Sequence, residues 1–240
     1  MPVHERVELT KVCLTHLAHV TIVELEEAGI SSTAVVVGDN TVILEHANDL
    51  GLWCVEQLNE PLGRKFNDGF QLAYDEGADY FVPVGSDNWI SADLFHELPG
   101  PNEVIAHRQA TIVHEDGDRL CEINVSYDGG DGIRTFPREL IARTSGRPAY
   151  DHSKRAVDAS IAEHLKRAAG WSRRFRYHDV HAHQVIGWQS HDVQLNQYDD
   201  LKKTFGVRES STPWDELAST QHLVLLDSMR DHYASRKVPS

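Results

Sequence analysis

The sequence predicts an α/β protein with a mostly parallel central sheet flanked by helices, followed by a C-terminal helical extension. Three observations predict it. Short valine-rich runs alternate with stretches of helical periodicity through the first half, and each run closes on a polar or glycine-containing turn. The composition is that of an ordinary folded chain, with 240 residues, 40% hydrophobic and 25% charged.

The elements follow in order. Glu8 to Ala28 places Leu9, Val12, Cys13, Leu17, Val20, Val23 and Ala28 at three- and four-residue steps, the spacing of one helix face, and Gly29 marks its stop. Thr33 to Val37 reads as a buried strand closed by Gly38-Asp39-Asn40. Val42 to Leu50 is helical, Trp53 to Leu58 is a second strand, and Asn67 to Glu76 is a helix ending at Gly77. Tyr80 to Val84 is a third strand. This alternation predicts βαβ units, whose ligands lie beyond the carboxyl ends of the strands. Those ends are Gly38-Asp39-Asn40, Asn59 to Arg64, and Gly85-Ser86-Asp87-Asn88.

The second half is less regular. Glu103 to Val113 and Leu120 to Val125 read as an antiparallel pair around the acidic turn Glu115-Asp116-Gly117-Asp118, and Gly129 to Gly132 as a loop. Asp158 to Ala169 is a helix with Ile161, Ala162 and Leu165 on one face. Trp171 to His178 is basic and aromatic, His181, His183 and Val185 alternate as on a strand, and Trp214 to Tyr233 holds a final amphipathic helix. The expected organisation is one main domain over 1–190 and a C-terminal extension with its amphipathic helix over 191–240.

Charge and cysteine usage bound the function. Lys+Arg 23 against Asp+Glu 37 gives a net charge of -14, which opposes non-specific binding to nucleic acid or anionic lipid. The mean hydropathy of -0.42 and the absence of an 18-residue apolar run argue against a membrane span. Cys13, Cys54 and Cys121 form no C-x-x-C pair, so neither a disulfide framework nor a cysteine zinc site is implied. With no leader or lipidation signal, a cytoplasmic setting is expected.

Several constellations could carry chemistry. Asp87, just past a strand, could bind Mg²⁺ or Mn²⁺ through its oxygens, or cap the segment that follows. Asp39 and Asn40 could hydrogen-bond a nucleobase or ribose, or close an Asx turn. Gly63, Arg64, Lys65 and Asn67 lie where a strand crosses to a helix, so backbone N–H groups and two cations could hold a phosphate. The stretch is not a Walker loop, lacking the following Ser/Thr. Of the fifteen histidines, His183 could be a further ligand to a metal on Asp87, while most are surface residues. Asp158, at a helix N-terminus, is the best general base, with Asp151 as fallback; helix capping competes with that role. Arg173 to Tyr177 could pair and stack with a phosphorylated or nucleic-acid acceptor, or form a solvated edge strand.

Five segments recur in a familiar order and spacing. They are Pro2-Val3-His4-Glu5-Arg6 before a helix, Val36-Val37-Gly38-Asp39-Asn40, the run Asn59 to Gly69, Asp79-Tyr80-Phe81-Val82-Pro83-Val84-Gly85-Ser86-Asp87-Asn88, and Val157-Asp158 with its helix. Together they resemble the GT-A glycosyltransferases, specifically family 2-like nucleotide-sugar transferases, over roughly residues 2 to 175. The resemblance implies a GT-A, Rossmann-like sheet and an inverting transfer of a sugar from a nucleotide-diphosphate donor, by family habit a UDP-sugar, to an acceptor hydroxyl. It makes Pro2, Val3, His4 and Arg6 the first nucleotide-binding turn, Asp39 the base contact, Asp87 the ligand of Mn²⁺ or Mg²⁺, Ser86 a donor neighbour and Asp158 the base. Gly85 stands where the family carries the first aspartate of its Asp-x-Asp motif, and Val157 where it carries a glutamate. In the family a first strand precedes the first nucleotide-binding turn, so the resemblance implies that the strand is either absent here or lies upstream of Met1. A catalytically inactive nucleotide-binding or scaffold protein and a nucleotidyltransferase are the alternative readings. The acceptor class, glycan, protein, small molecule or modified nucleic acid, is left open, as is a homo-oligomer.

Overall fold

The structure is a computed structural model. It describes residues 1–3, 7–58, 60–86, 88–107, 109–113, 120–124, 133–153, 157–169, 175–178, 185–188 and 208–209. The chain is a mixed α/β protein, and among the described residues its strands form three sheets, of three, four and five strands.

The first sheet matches the predicted alternation. β1 (Pro2–Val3), β2 (Val35–Gly38) and β3 (Trp53–Glu56) are all parallel, in the register Pro2↔Val37 and Val35↔Trp53. Val36 and Val37 are both buried, and Val36 joins Val3, Leu14, Ile43 and Ala47 in the core between one face of this sheet and its helices. The first predicted helix is three consecutive pieces: α1 (Val7–His16), a π-helical turn Leu17–Thr21, and α2 (Ile22–Glu27). It stops where glycine predicts. Gly29 takes φ of +81°, Ile30 N–H donates to Leu25 O at 2.8 Å and Gly29 N–H to Glu26 O at 2.9 Å, the double bond of a Schellman end, with Ile30 and Leu25 in one apolar cluster. Gly77, at φ of +89°, closes helix α4 (Leu62–Asp75) in the same way. Helix α3 (Thr41–Asp49) lies within one residue of its expected bounds.

Three expectations are corrected. Helix α4 spans Leu62–Asp75 and so starts five residues before Asn67, because Leu62 to Phe66 coil instead of looping. The third strand is only β4 (Tyr80–Phe81), and its partner is β9 (Arg134–Pro137), antiparallel. The sheet is therefore not mostly parallel: parallel pairing holds for β1–β2, β2–β3, β10–β6 and β11–β7, and the other five described pairings are antiparallel.

The run 103–113 divides between two sheets, as β6 (Val104–His107) and β7 (Gln109–Val113). The expected antiparallel pair is β7 with β8 (Leu120–Asn124). Strand β5 (Asn88–Ile90) pairs with β11 (Val185–Trp188), β10 (Phe175–His178) is an edge strand beside β6, and β12 (Arg208–Glu209) pairs with β8. Helices α5 (Arg138–Ala142) and α6 (Val157–Ala169) complete the fold. Phe70 of α4, Phe81, Phe136, Leu140, Ile161 and Leu165 build the second core, with Phe70 stacked on Phe81 at 5.7 Å. The helix expected at 214–233 lies outside the described residues. Among the described residues no helix is long and apolar enough to cross a membrane.

Candidate functional site

The parallel strands of the first sheet end together, and their ends position the first group of residues. Val3 lies opposite Gly38, and Gly38 opposite Glu56. A Cβ on Gly38 would sit 2.5 Å from Val3 Cγ2 and 2.8 Å from Val3 O, so only glycine lets these strand ends approach. Asp39 and Asn40 follow directly. Asn40 has an extended backbone and accepts from Ile43 N–H at 3.3 Å, so its side chain caps α3. Asp39 stands half-buried beside it.

Lys65 reaches this place from α4. Its side chain is fully buried, and its ammonium donates to Val3 O at the end of β1. Burial pushes its pKa down, and the carboxylate of Asp39 acts against that by favouring the cation. Val3, Asp39 and Lys65 thus meet at the carboxyl ends of β1 and β2, where an open α/β sheet places its ligands. Lys65 serves as a tie between α4 and β1, not as a solvent-facing phosphate cation, since a lysine with no exposed surface already holds a backbone carbonyl. Pro2 and Val3 are strand residues, which corrects their expected place in a turn; His4 and Arg6 of that turn lie outside the described residues.

A second group gathers at the start of α4. Gly63 N–H donates to Ser153 O at 2.7 Å, and Arg64 and Lys65 N–H groups turn back to Pro61 O at 3.1 and 3.4 Å. A Cβ on Gly63 would lie 2.0 Å from Tyr150 O, so this glycine admits a neighbouring backbone. Asn67 is buried at 1% exposure and fully used: its Nδ2 donates to Ala149 O at 2.9 Å and to Asp151 Oδ1 at 2.8 Å, and its Oδ1 accepts from Ala149 N–H at 2.9 Å. Of the cradle expected around 63–67, Arg64 is the exposed member.

Asp151 belongs to the same cluster. Arg147 bridges it at 2.8 Å and Asp68 at 3.1 Å. The hydrogen bond from Asn67 is the largest influence and, with Arg147 and the charge of Arg64 added to it, outweighs burial and holds the Asp151 carboxyl below its ordinary pKa. A carboxylate so held is a weak proton acceptor.

Sequence reasoning missed Arg147, Tyr150, Ser153 and Ser160. Tyr150 N–H donates to Ser160 Oγ at 2.8 Å, Ser153 Oγ donates to Ser160 Oγ at 2.8 Å, and the Tyr150 ring stacks on His164 at 4.7 Å. The only local signal was the four-residue spacing of Arg147 and Asp151. Ser86 is half-buried in the turn that Asn88 N–H closes onto Gly85 O at 3.2 Å. Asp87 and His183, the expected metal ligands, lie outside the described residues. Asp158 is the second residue of α6, and its side chain is likewise undescribed. Among the described residues no group of three or more His, Cys, Asp or Glu could hold a metal ion.

No family model matches the chain, and no curated protein matches it. Among solved structures, the inositol-1-phosphate CTP transferase from T. maritima is similar at 10% identity, over 96% of this chain and 85% of that one, with a TM-score of 0.40. A likeness at that level leaves the function to be argued from the residues themselves.

Proposed function

We propose that the chain is a nucleotide-dependent transferase that binds its nucleotide beyond the carboxyl ends of β1 and β2. The observation that carries this reading is the meeting of Asp39 and the buried Lys65 at Val3, where two parallel strands end. Asp39 would accept hydrogen bonds from the base or ribose. Asn40 fixes the start of α3 beside it, and exposed Arg64 would pair with the phosphates. In the finer reading the donor is a nucleotide-diphosphate sugar, UDP-linked by the family resemblance, and the sugar passes with inversion to an acceptor hydroxyl. Asp87 would hold Mn²⁺ or Mg²⁺, which when bound neutralises charge on the diphosphate. Asp158 would take the acceptor proton.

One observation favours a second reading, nucleotidyl transfer. A hydroxyl acceptor needs a base, and Asp151 is held ionised by Asn67 and Arg147 below its ordinary pKa. A phosphate acceptor is already an anion and needs none. The two reactions break different bonds, so the released product separates them. Incubation with nucleotide sugars and with nucleoside triphosphates, in Mn²⁺ and varied acceptors, should release a nucleoside diphosphate in the first case and pyrophosphate in the second. Nucleotide binding with neither product would support the inactive alternative, and absence of binding would end the proposal.

A further inference from the structure

A cavity of about 740 Å³ is enclosed by the helical run α1 to α2, the sheet at β2, helix α4 and the segment 78–84. Its interior is apolar, with Leu17, Leu25, Phe70, Phe81, Val84 and Phe95 in the walls and all of them buried. A space of that size, lined mainly by apolar side chains, is the size of a small-molecule site and larger than a packing void. The exposed members of the lining show where it opens. Thr33 stands before β2, Trp53 opens β3, Tyr80 opens β4, and Gly29 and Gly77 close the two helical runs. The mouth therefore lies at the amino ends of β2 and β3, and Asp39 follows the carboxyl end of β2, on the far side of the sheet.

The chemistry of the mouth suits a cation. Glu76 and Asp79 line it and are exposed. Helix α4 and the helical run that ends with α2 both stop there, at Gly77 and Gly29, and bring the negative ends of their dipoles to the rim. Trp53 at 37% exposure and Tyr80 at 40% add two aromatic rings, the side chains that hold an ammonium at the boundary of an apolar pocket. Ser32 Oγ belongs to the same lining; it is buried and has no hydrogen-bond partner among the described residues. Among the described lining residues the one basic side chain is Lys65, which is fully buried and donates to Val3 O.

We infer that the cavity is a binding site for a single-chain amphiphile with a cationic head, a long-chain primary amine. Its chain lies among Leu25, Phe70 and Phe81, and its ammonium sits at the mouth beside Glu76 and Asp79, where it donates to Ser32 Oγ. The chain supplies affinity by leaving water, and the head supplies selectivity. A fatty carboxylate has the wrong charge, because its head would meet two carboxylates and two helix C-termini. A chain with no polar head would leave Ser32 Oγ unpaired. The inference is independent of the nucleotide reading, and its test uses no nucleotide.

The test uses the full chain and three probes with one alkyl chain and different heads: dodecylamine, dodecanol and dodecanoate, each below its micelle-forming concentration. Dodecylamine should raise Tm by several degrees, slow amide exchange at Leu25, Phe81 and Val82, and bind about tenfold more tightly than dodecanol, with dodecanoate weakest. Glu76→Gln combined with Asp79→Asn changes only exposed side chains, so the free protein should keep its Tm while the amine falls to the level of the alcohol. Equal binding of the three probes, or tighter binding of dodecanoate, would overturn the inference. So would amine binding that survives the double substitution unchanged, or that lowers Tm without protecting Leu25, Phe81 and Val82, which is the action of a detergent on the whole surface.

Discussion

Replacing Asn67 by alanine tests the clamp that holds the 149–151 segment onto α4. Asn67 makes two bonds to the backbone of Ala149, 82 positions away, and one to Asp151, 84 positions away. Ala149 is 2% exposed, so neither its N–H nor its carbonyl gains water when the side chain is cut back. A buried backbone group left unsatisfied costs about 1–3 kcal/mol, and two of them about 2–6 kcal/mol. At about 2–4 °C per kcal/mol for a chain of this size, Asn67→Ala should lower Tm by roughly 10 °C. Asn67→Asp separates the parts: it keeps the acceptor for Ala149 N–H, removes the donor and sets a second carboxylate beside Asp151. Its deficit should shrink as pH falls and one carboxylate takes a proton. Calorimetry on the wild type and both variants measures this. A Tm for Asn67→Ala within about 2 °C of wild type would refute the clamp, since the penalty of two unsatisfied backbone groups would then be absent.

Further outcomes follow from the structure. Gly63→Ala places a methyl 2.0 Å from Tyr150 O, which must force the backbones apart and weaken the Gly63 to Ser153 bond; urea unfolding should show a loss of about 1–3 kcal/mol. Arg64→Ala should leave Tm unchanged and weaken nucleotide binding about tenfold by titration calorimetry, the loss of one charge-assisted bond. The Met1 amine binds its proton less readily folded, at about 5, than unfolded, at 8.0, so the unfolded chain holds more protons between those values and stability should rise with pH across that window, by at most about 4 kcal/mol. Asp151 acts lower down, its stabilisation present above 3.8 and lost as pH falls through its depressed folded pKa. Urea unfolding at pH 5 and pH 8 checks the first window, and acetylating Met1 should flatten it.

The elements that were legible in the sequence are those whose causes are local. Gly29 and Gly77 stop helices because the chain there needs positive φ, and the valines of β2 signal burial on their own. The strand β9 was not legible, because Arg134 and Thr135 are buried polar residues in a strand that shows no alternation. At the candidate site the ambiguity was chemical. A glycine followed by two cations reads as a phosphate cradle, yet Gly63 makes room for Tyr150 O and Lys65 is buried against Val3. Only the fold distinguishes a glycine that admits a ligand from one that admits another stretch of backbone. Asp39 and Asn40 were legible as a pair at a strand end, and the structure divides them, one capping a helix and the other facing Lys65.

The central claim is that a nucleotide binds beside Asp39. Its most direct test is the thermal stability of wild type and Asp39→Asn against a panel of nucleoside diphosphates, nucleotide sugars and triphosphates, with and without Mn²⁺. At 100 times its dissociation constant a ligand adds about 2.7 kcal/mol, a shift of roughly 5–10 °C here. That shift is expected for at least one nucleotide in the wild type, and its loss is expected in Asp39→Asn. No shift with any nucleotide, or a shift that survives the substitution unchanged, would contradict it.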